Sequence, residues 1–163
     1  DWITGTRDKL LSRIEIIDQT EFIAPENVDV DFLLIDTQGS LTKEMAQFLF
    51  QSSLIITPCR VSRDDIVGQG WIEVFLKQSN QNIKKAPILT VLNGVNKRSS
   101  ILSHVIEQLK EDGVQVAETC ISQRVCFAET NVNKISVIGY NKHATREIVD
   151  LTNEALNLIK SEI

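Results

Sequence analysis

Asp36 is the residue best placed by its neighbours to do chemistry. It ends the apolar run Asp31-Phe-Leu-Leu-Ile-Asp36 and is followed by Thr37, Gln38 and Gly39. A carboxylate at the end of a buried strand can hold an Mg²⁺-bound water, because a hard cation favours oxygen ligands. Gly39 leaves room for a close backbone approach to a ligand. Two other run ends are polar, Pro58-Cys59-Arg60 and Asn93-Gly94-Val95-Asn96. The Asn93 amide offers both a donor and an acceptor, which suits the edge of a purine. Each residue also has a plain structural reading: an acid after a strand caps a helix or a turn, and Asn-Gly is a common turn dipeptide.

These residues need elements to hold them. Phe32 to Ile35 is continuously apolar, the pattern of a strand covered on both faces. Ile14-Glu15-Ile16-Ile17, Leu54-Ile55-Ile56-Thr57 (stopped by Pro58), Pro87 to Leu92 and Val114 to Ile121 read as further strands. Helical spacing places Leu41, Met45, Phe48 and Leu49 on one face, and Ile66, Trp71, Val74 and Phe75 on another. Ser99 or Ser100 caps a third helix carrying Ile101, Leu102, Val105, Ile106 and Leu109, which Asp112-Gly113 closes. A last helix from His143 to Ile163 aligns Ile148, Leu151, Ala155, Leu156 and Ile159. Strands alternating with helices predict an α/β fold with a parallel sheet flanked by helices, in which ligands gather at the carboxyl ends of the strands.

Composition agrees with one domain. The 163 residues are 42% hydrophobic, enough for a core, and no repeat or linker divides residues 1–163. A net charge of −5 excludes polyanion binding by bulk field, so any nucleic-acid contact needs a local basic patch. Cys59, Cys120 and Cys126 have neither zinc-finger nor disulfide-framework spacing and suit a reducing cytoplasm. No apolar run reaches membrane-spanning length, and Asp1–Arg7 lacks the layout of a signal peptide.

Taken in order, Asp31-Phe-Leu-Leu-Ile-Asp36-Thr37-Gln38-Gly39, Leu54-Ile-Ile-Thr-Pro58, Asp65-Ile-Val-Gly68, Val91-Leu92-Asn93 and Ile121-Ser-Gln-Arg124-Val-Cys-Phe-Ala-Glu129 resemble the later two-thirds of a ParA-type partition ATPase. That family belongs to the deviant Walker-A P-loop NTPases, with MinD as a relative. The resemblance runs over about residues 29–163 and implies a three-layer P-loop NTPase-like fold. It implies Asp36 as the catalytic Walker-B acid, acting through water on Mg²⁺, with Thr37 and Gly39 in the γ-phosphate switch. The family often has Pro at the position of Gln38. Asn93 would contact the adenine of ATP, Arg124 would lie near the nucleotide, and Asp65 would sit at the face of an ATP-dependent homodimer. As a first-turn acid, Asp65 also suits the helix dipole.

The family's phosphate loop, Gly-x-x-x-x-Gly-Lys-Ser/Thr, has no counterpart in the sequence. The chain is therefore expected to be the carboxyl-terminal part of a longer ATPase, incomplete without its P-loop strand and unable to hydrolyse ATP alone. The alternative is a catalytically silent α/β interaction module. The family implies nonspecific DNA binding, for which Lys97, Arg98, Lys134, Lys142 and Arg146 are the candidates, although a solvated face is the competing reading. It also implies a centromere-binding, ParB-like partner and a bacterial, nucleoid-associated location. The closing helix is amphipathic but acidic, unlike a basic membrane-targeting tail, so no membrane contact is expected.

Overall fold

A computed structural model describes residues 8–9, 11–15, 29–37, 48–79 and 86–161 of the chain. Three strands form a parallel sheet in the order β1 (Ile55–Cys59), β2 (Ile88–Val95), β3 (Ile121–Ser122). Helices flank it: α1 (Arg63–Ser79) joins β1 to β2, α2 (Ser100–Glu111) joins β2 to β3, and α3 (Val125–Asn133) and α4 (Lys142–Ser161) follow. The α/β expectation is met at this level.

β2 is the centre of the sheet because its run is apolar on both faces. Leu89, Thr90, Val91 and Leu92 are all buried. With side chains alternating along the strand, Leu89 and Val91 pack with Ala117, Ile121 and Ala155 on the α4 side. Leu92 and Val95 pack with Cys59, Val105, Leu109 and Cys120 on the α2 side. β1 alternates buried and exposed residues, with Ile55, Thr57 and Cys59 inward. Pro58 extends this strand rather than stopping it: it is exposed, and among the described residues β1 is an edge strand, where a missing N–H is tolerated.

A polar triad crosses the sheet beneath α1. Thr57 and Thr90 face each other in register, with their hydroxyls 3.0 Å apart, and Thr90 Oγ1 donates to Gln69 Oε1 at 3.2 Å. All three residues are buried. Each hydroxyl has one proton, so Thr57 donates to Thr90 while Thr90 donates to Gln69.

The helix ends follow local chemistry. Ser62 Oγ accepts the Asp65 N–H at 3.3 Å, and Asn141 Oδ1 accepts the N–H groups of His143 and Ala144 at 3.1 and 3.0 Å. α2 ends at Asp112, and Gly113 takes the left-handed φ of +80° that such an exit requires. The Asp8 carboxylate accepts the Ser136 N–H at 2.8 Å, tying an early residue to the α3–α4 connection.

Several expectations are corrected. Residues 32–37 contain no strand, and Phe32 and Leu34 are 67% and 89% exposed. An apolar run becomes a strand only where a ladder partner and two covering layers meet it, and among the described residues none pairs with this run. Between Val114 and Ile121 the chain makes a single bridge, Thr90 to Val116, before β3. Leu11–Arg13 is a 3₁₀ turn, and Ile14 and Glu15 are outside any strand. Residues 48–51 are helical, whereas Leu41 and Met45 of the expected first helix lie outside the described residues. α3 was not anticipated at all.

Candidate functional site

The carboxyl edge of the sheet is shaped by a bulge. Asn93 pairs with Ile121 and Val95 with Ser122, so Gly94 is the extra residue, with φ of +66°. Asn93-Gly94 is thus an irregularity inside β2 rather than a turn, and it leaves both residues exposed. Beyond it, Asn96 Oδ1 accepts the Arg98 N–H at 3.1 Å and Asn96 O accepts the Ser99 N–H at 2.9 Å. This tight turn carries Lys97 at the mouth of the sheet. β3 ends alongside, where the Gln123 N–H donates to Val95 O at 2.9 Å and Arg124 starts α3 as its N-cap.

Glu147 draws these pieces together from α4. Ala144, Glu147 and Ala155 are the buried residues of that helix, so the acid occupies its inward stripe. Its carboxylate accepts the Ser122 N–H at 3.1 Å and the Ser122 hydroxyl at 2.7 Å. It also takes Arg124 Nη2 at 3.0 Å, Arg124 Nε at 3.5 Å and Lys97 Nζ at 2.8 Å. Burial alone pushes the Glu147 carboxyl up, but the hydrogen bonds from Arg124, Lys97 and Ser122 outweigh it and bring it down to about 2. The same contact raises the Arg124 guanidinium, so the pair stays ionised at any physiological pH.

A cleft of about 470 Å³ opens over this cluster, with Lys97, Arg124, His143 and Arg146 on its walls beside Glu118, Glu147 and Asp150. Arg146 is 3.5 Å from Asp150. Glu154 fixes the cleft's far rim by accepting the N–H groups of Glu118 and Thr119 at 2.7 and 3.2 Å. A second cleft of about 380 Å³ lies between the ends of β1 and β2, with Arg60, Ser62, Gly94 and Asn96 among its walls. Burial raises the Cys59 and Cys120 thiols, so neither is an activated nucleophile, and Cys126 is buried as well.

The residues singled out by sequence fall into three groups. Lys97, Arg124 and Arg146 meet at the first cleft, with Asn93 on the strand that leads to it. Arg98 lies in the β2–α2 turn, Lys142 opens α4, Lys134 closes α3 in a left-handed conformation, and Asp65 sits in the capped first turn of α1. Asp36 and Thr37 are exposed outside any strand and line neither cleft, and Gly39 lies outside the described residues.

Asp36 alone does not make a resident Mg²⁺ site. One exposed carboxylate needs phosphate oxygens or further ligands to complete an octahedral shell, and the sequence lacks the loop that would hold the phosphates. Among the described residues, no group of three or more His, Cys, Asp or Glu side chains could hold a metal ion, and no helix is long and apolar enough to cross a membrane. Compared with known proteins, the chain matches no family model and no curated protein.

Glu147 was missed as a site residue because the sequence offers it only as one of several acids on a charged helix. The signal was its phase: it lies three residues after Ala144 and four before Leu151, on the apolar stripe. An acid there needs partners from elsewhere in the chain.

Proposed function

We propose that the chain is the carboxyl-terminal part of a ParA-type, nucleotide-switched ATPase with a three-layer P-loop NTPase-like fold. In this reading it supplies the wall of the nucleotide site rather than its phosphate loop. The observation that carries the proposal is the convergence of Lys97 and Arg124 on Glu147 at the carboxyl edge of a parallel sheet, where such folds take their ligands, with Asn93 just before on β2. Asn93 would read the base, and Arg124 and Lys97 would face the anionic part of the ligand. The chain alone binds and positions and does not hydrolyse. In the intact protein, Asp36 would meet Mg²⁺-nucleotide, Asp65 would face the second copy, and Arg98, Lys134, Lys142 and Arg146 would hold DNA phosphates, with a centromere-binding protein stimulating turnover.

Calorimetric titration of the chain with ATP tests this. Saturable binding without turnover is expected, weakened by Asn93→Ala and by Arg124→Ala. The absence of any phosphate loop in the sequence favours a second reading, an interaction module without nucleotide chemistry. No heat with ATP, and no effect of either substitution on partner capture, would leave that module as the function.

A further inference from the structure

Lys97 and Arg124 come from two different strand ends, and their side chains are 52% and 29% exposed. Neither would hold a fixed position by its own packing, since long cationic chains keep several rotamers unless they are pinned. Glu147 pins both. Its side chain is 8% exposed and is itself fixed by two hydrogen bonds from Ser122. Two cations on one anion leave a net charge of +1. The ammonium keeps donors beyond the one it spends on Glu147, as does the guanidinium beyond Nε and Nη2. Those donors border an open cleft of about 470 Å³ that also holds the Arg146–Asp150 ion pair and the Glu118 carboxylate, so the positive charge is local to Lys97 and Arg124 rather than spread over the cleft. The arrangement is a preorganised cationic fork with a buried acid as its base.

We infer that Glu147 is a positioning residue, holding Lys97 and Arg124 as a paired receptor for a phosphate-bearing anion in this cleft. The inference deepens the nucleotide reading and rests on it only for the identity of the anion. Glu147 touches no ligand itself. It acts by fixing where two charges stand, and its own negative charge works against the anion.

That opposition gives a test with a sign. Inorganic pyrophosphate is titrated into the chain by calorimetry at a temperature where every variant is folded. Glu147→Gln makes the cluster more positive by one charge, so a field effect alone would tighten binding. Positioning predicts the reverse, a loss of about tenfold as charge-assisted hydrogen bonds are given up. Thr152→Ala, at an exposed α4 position that lines neither cleft, is the control for general damage to α4 and is expected to leave pyrophosphate affinity within twofold. Combining Glu147→Gln with Lys97→Ala and Arg124→Ala should abolish the effect of the glutamine, because nothing is left to position. If Glu147→Gln does not fold, Ser122→Ala decides: it frees one bond to the carboxylate without altering charge and should weaken binding about threefold. Equal or tighter binding by the decisive variant overturns the inference, as does failure of the unaltered chain to bind pyrophosphate. Binding of pyrophosphate with no gain from the adenosine of ATP would instead overturn the nucleotide reading and leave the role of Glu147 standing.

Discussion

Two carboxylates invite comparison. Asp36 has the sequence context of a site, an apolar run with a glycine turn behind it, yet it stands exposed outside any strand. Glu147 has no such context, yet it is buried at the meeting point of β2, β3 and α4 with two cations and a serine on it. A motif reports what a residue could do if a partner arrives. A buried, fully bonded acid reports what the fold has already committed to, since leaving such a charge unpaired would cost several kcal/mol.

The largest expected effect breaks the Glu147 side. Glu147→Ala removes the acceptor for the Ser122 N–H and hydroxyl and strands two cations, and should cost about 3 kcal/mol in urea unfolding. The pH dependence of the unaltered chain should carry the same signature. The folded carboxyl titrates at about 2 against an ordinary 4.5, so its contribution is complete above about pH 4.5 and is lost as the pH falls through 2. That lowering corresponds to a contribution on the order of 3 kcal/mol. Glu147→Gln should flatten this limb of the stability curve; an unchanged acid limb would assign the titration to other carboxylates.

The contrast also explains what was legible from sequence. β1, β2, α1, α2 and α4 were readable because their signals are local: β-branched runs, 3.6-residue spacing, and a serine at the N-cap position of α2, Ser99. Asn93 was marked by lying at a run end, and Arg124 by the family resemblance. The Lys97–Glu147–Arg124 cluster was not readable, because its members are 50 and 23 residues apart and meet only through the order of the strands. α3 escaped because Val125-Cys126-Phe127-Ala128 alternates weakly, with Val125 and Val132 left exposed on the finished helix. The run from Phe32 to Ile35 misled in the opposite direction, since apolar character signals a strand only where a sheet receives it.

A smaller effect sharpens the comparison from inside the sheet. Thr90→Val keeps shape but withdraws the proton that Gln69 Oε1 accepts and the oxygen that Thr57 meets. It should cost about 1–2 kcal/mol, with Thr57→Val adding little in the Thr90→Val background, because the bond it would break is already gone. Full additivity of the two would mean that Thr57 has another partner. The triad thus sits between the two carboxylates in rank: buried like Glu147, but neutral.

Asp36→Ala should have the smallest effect, within about 0.5 kcal/mol of the unaltered chain, as for other exposed substitutions away from caps and networks. The expectation follows from geometry alone: the residue is exposed and its neighbours Leu34 and Ile35 are exposed with it. A loss above about 1 kcal/mol would mean that residues 31–36 dock as a strand in solution, since only a ladder position makes a strand-end acid matter to folding. It would also move Asp36 to the same class as Glu147, an acid whose place the fold has fixed. Near-neutral stability combined with altered ATP binding would separate the two acids fully, one maintaining the site and the other waiting for its ligand.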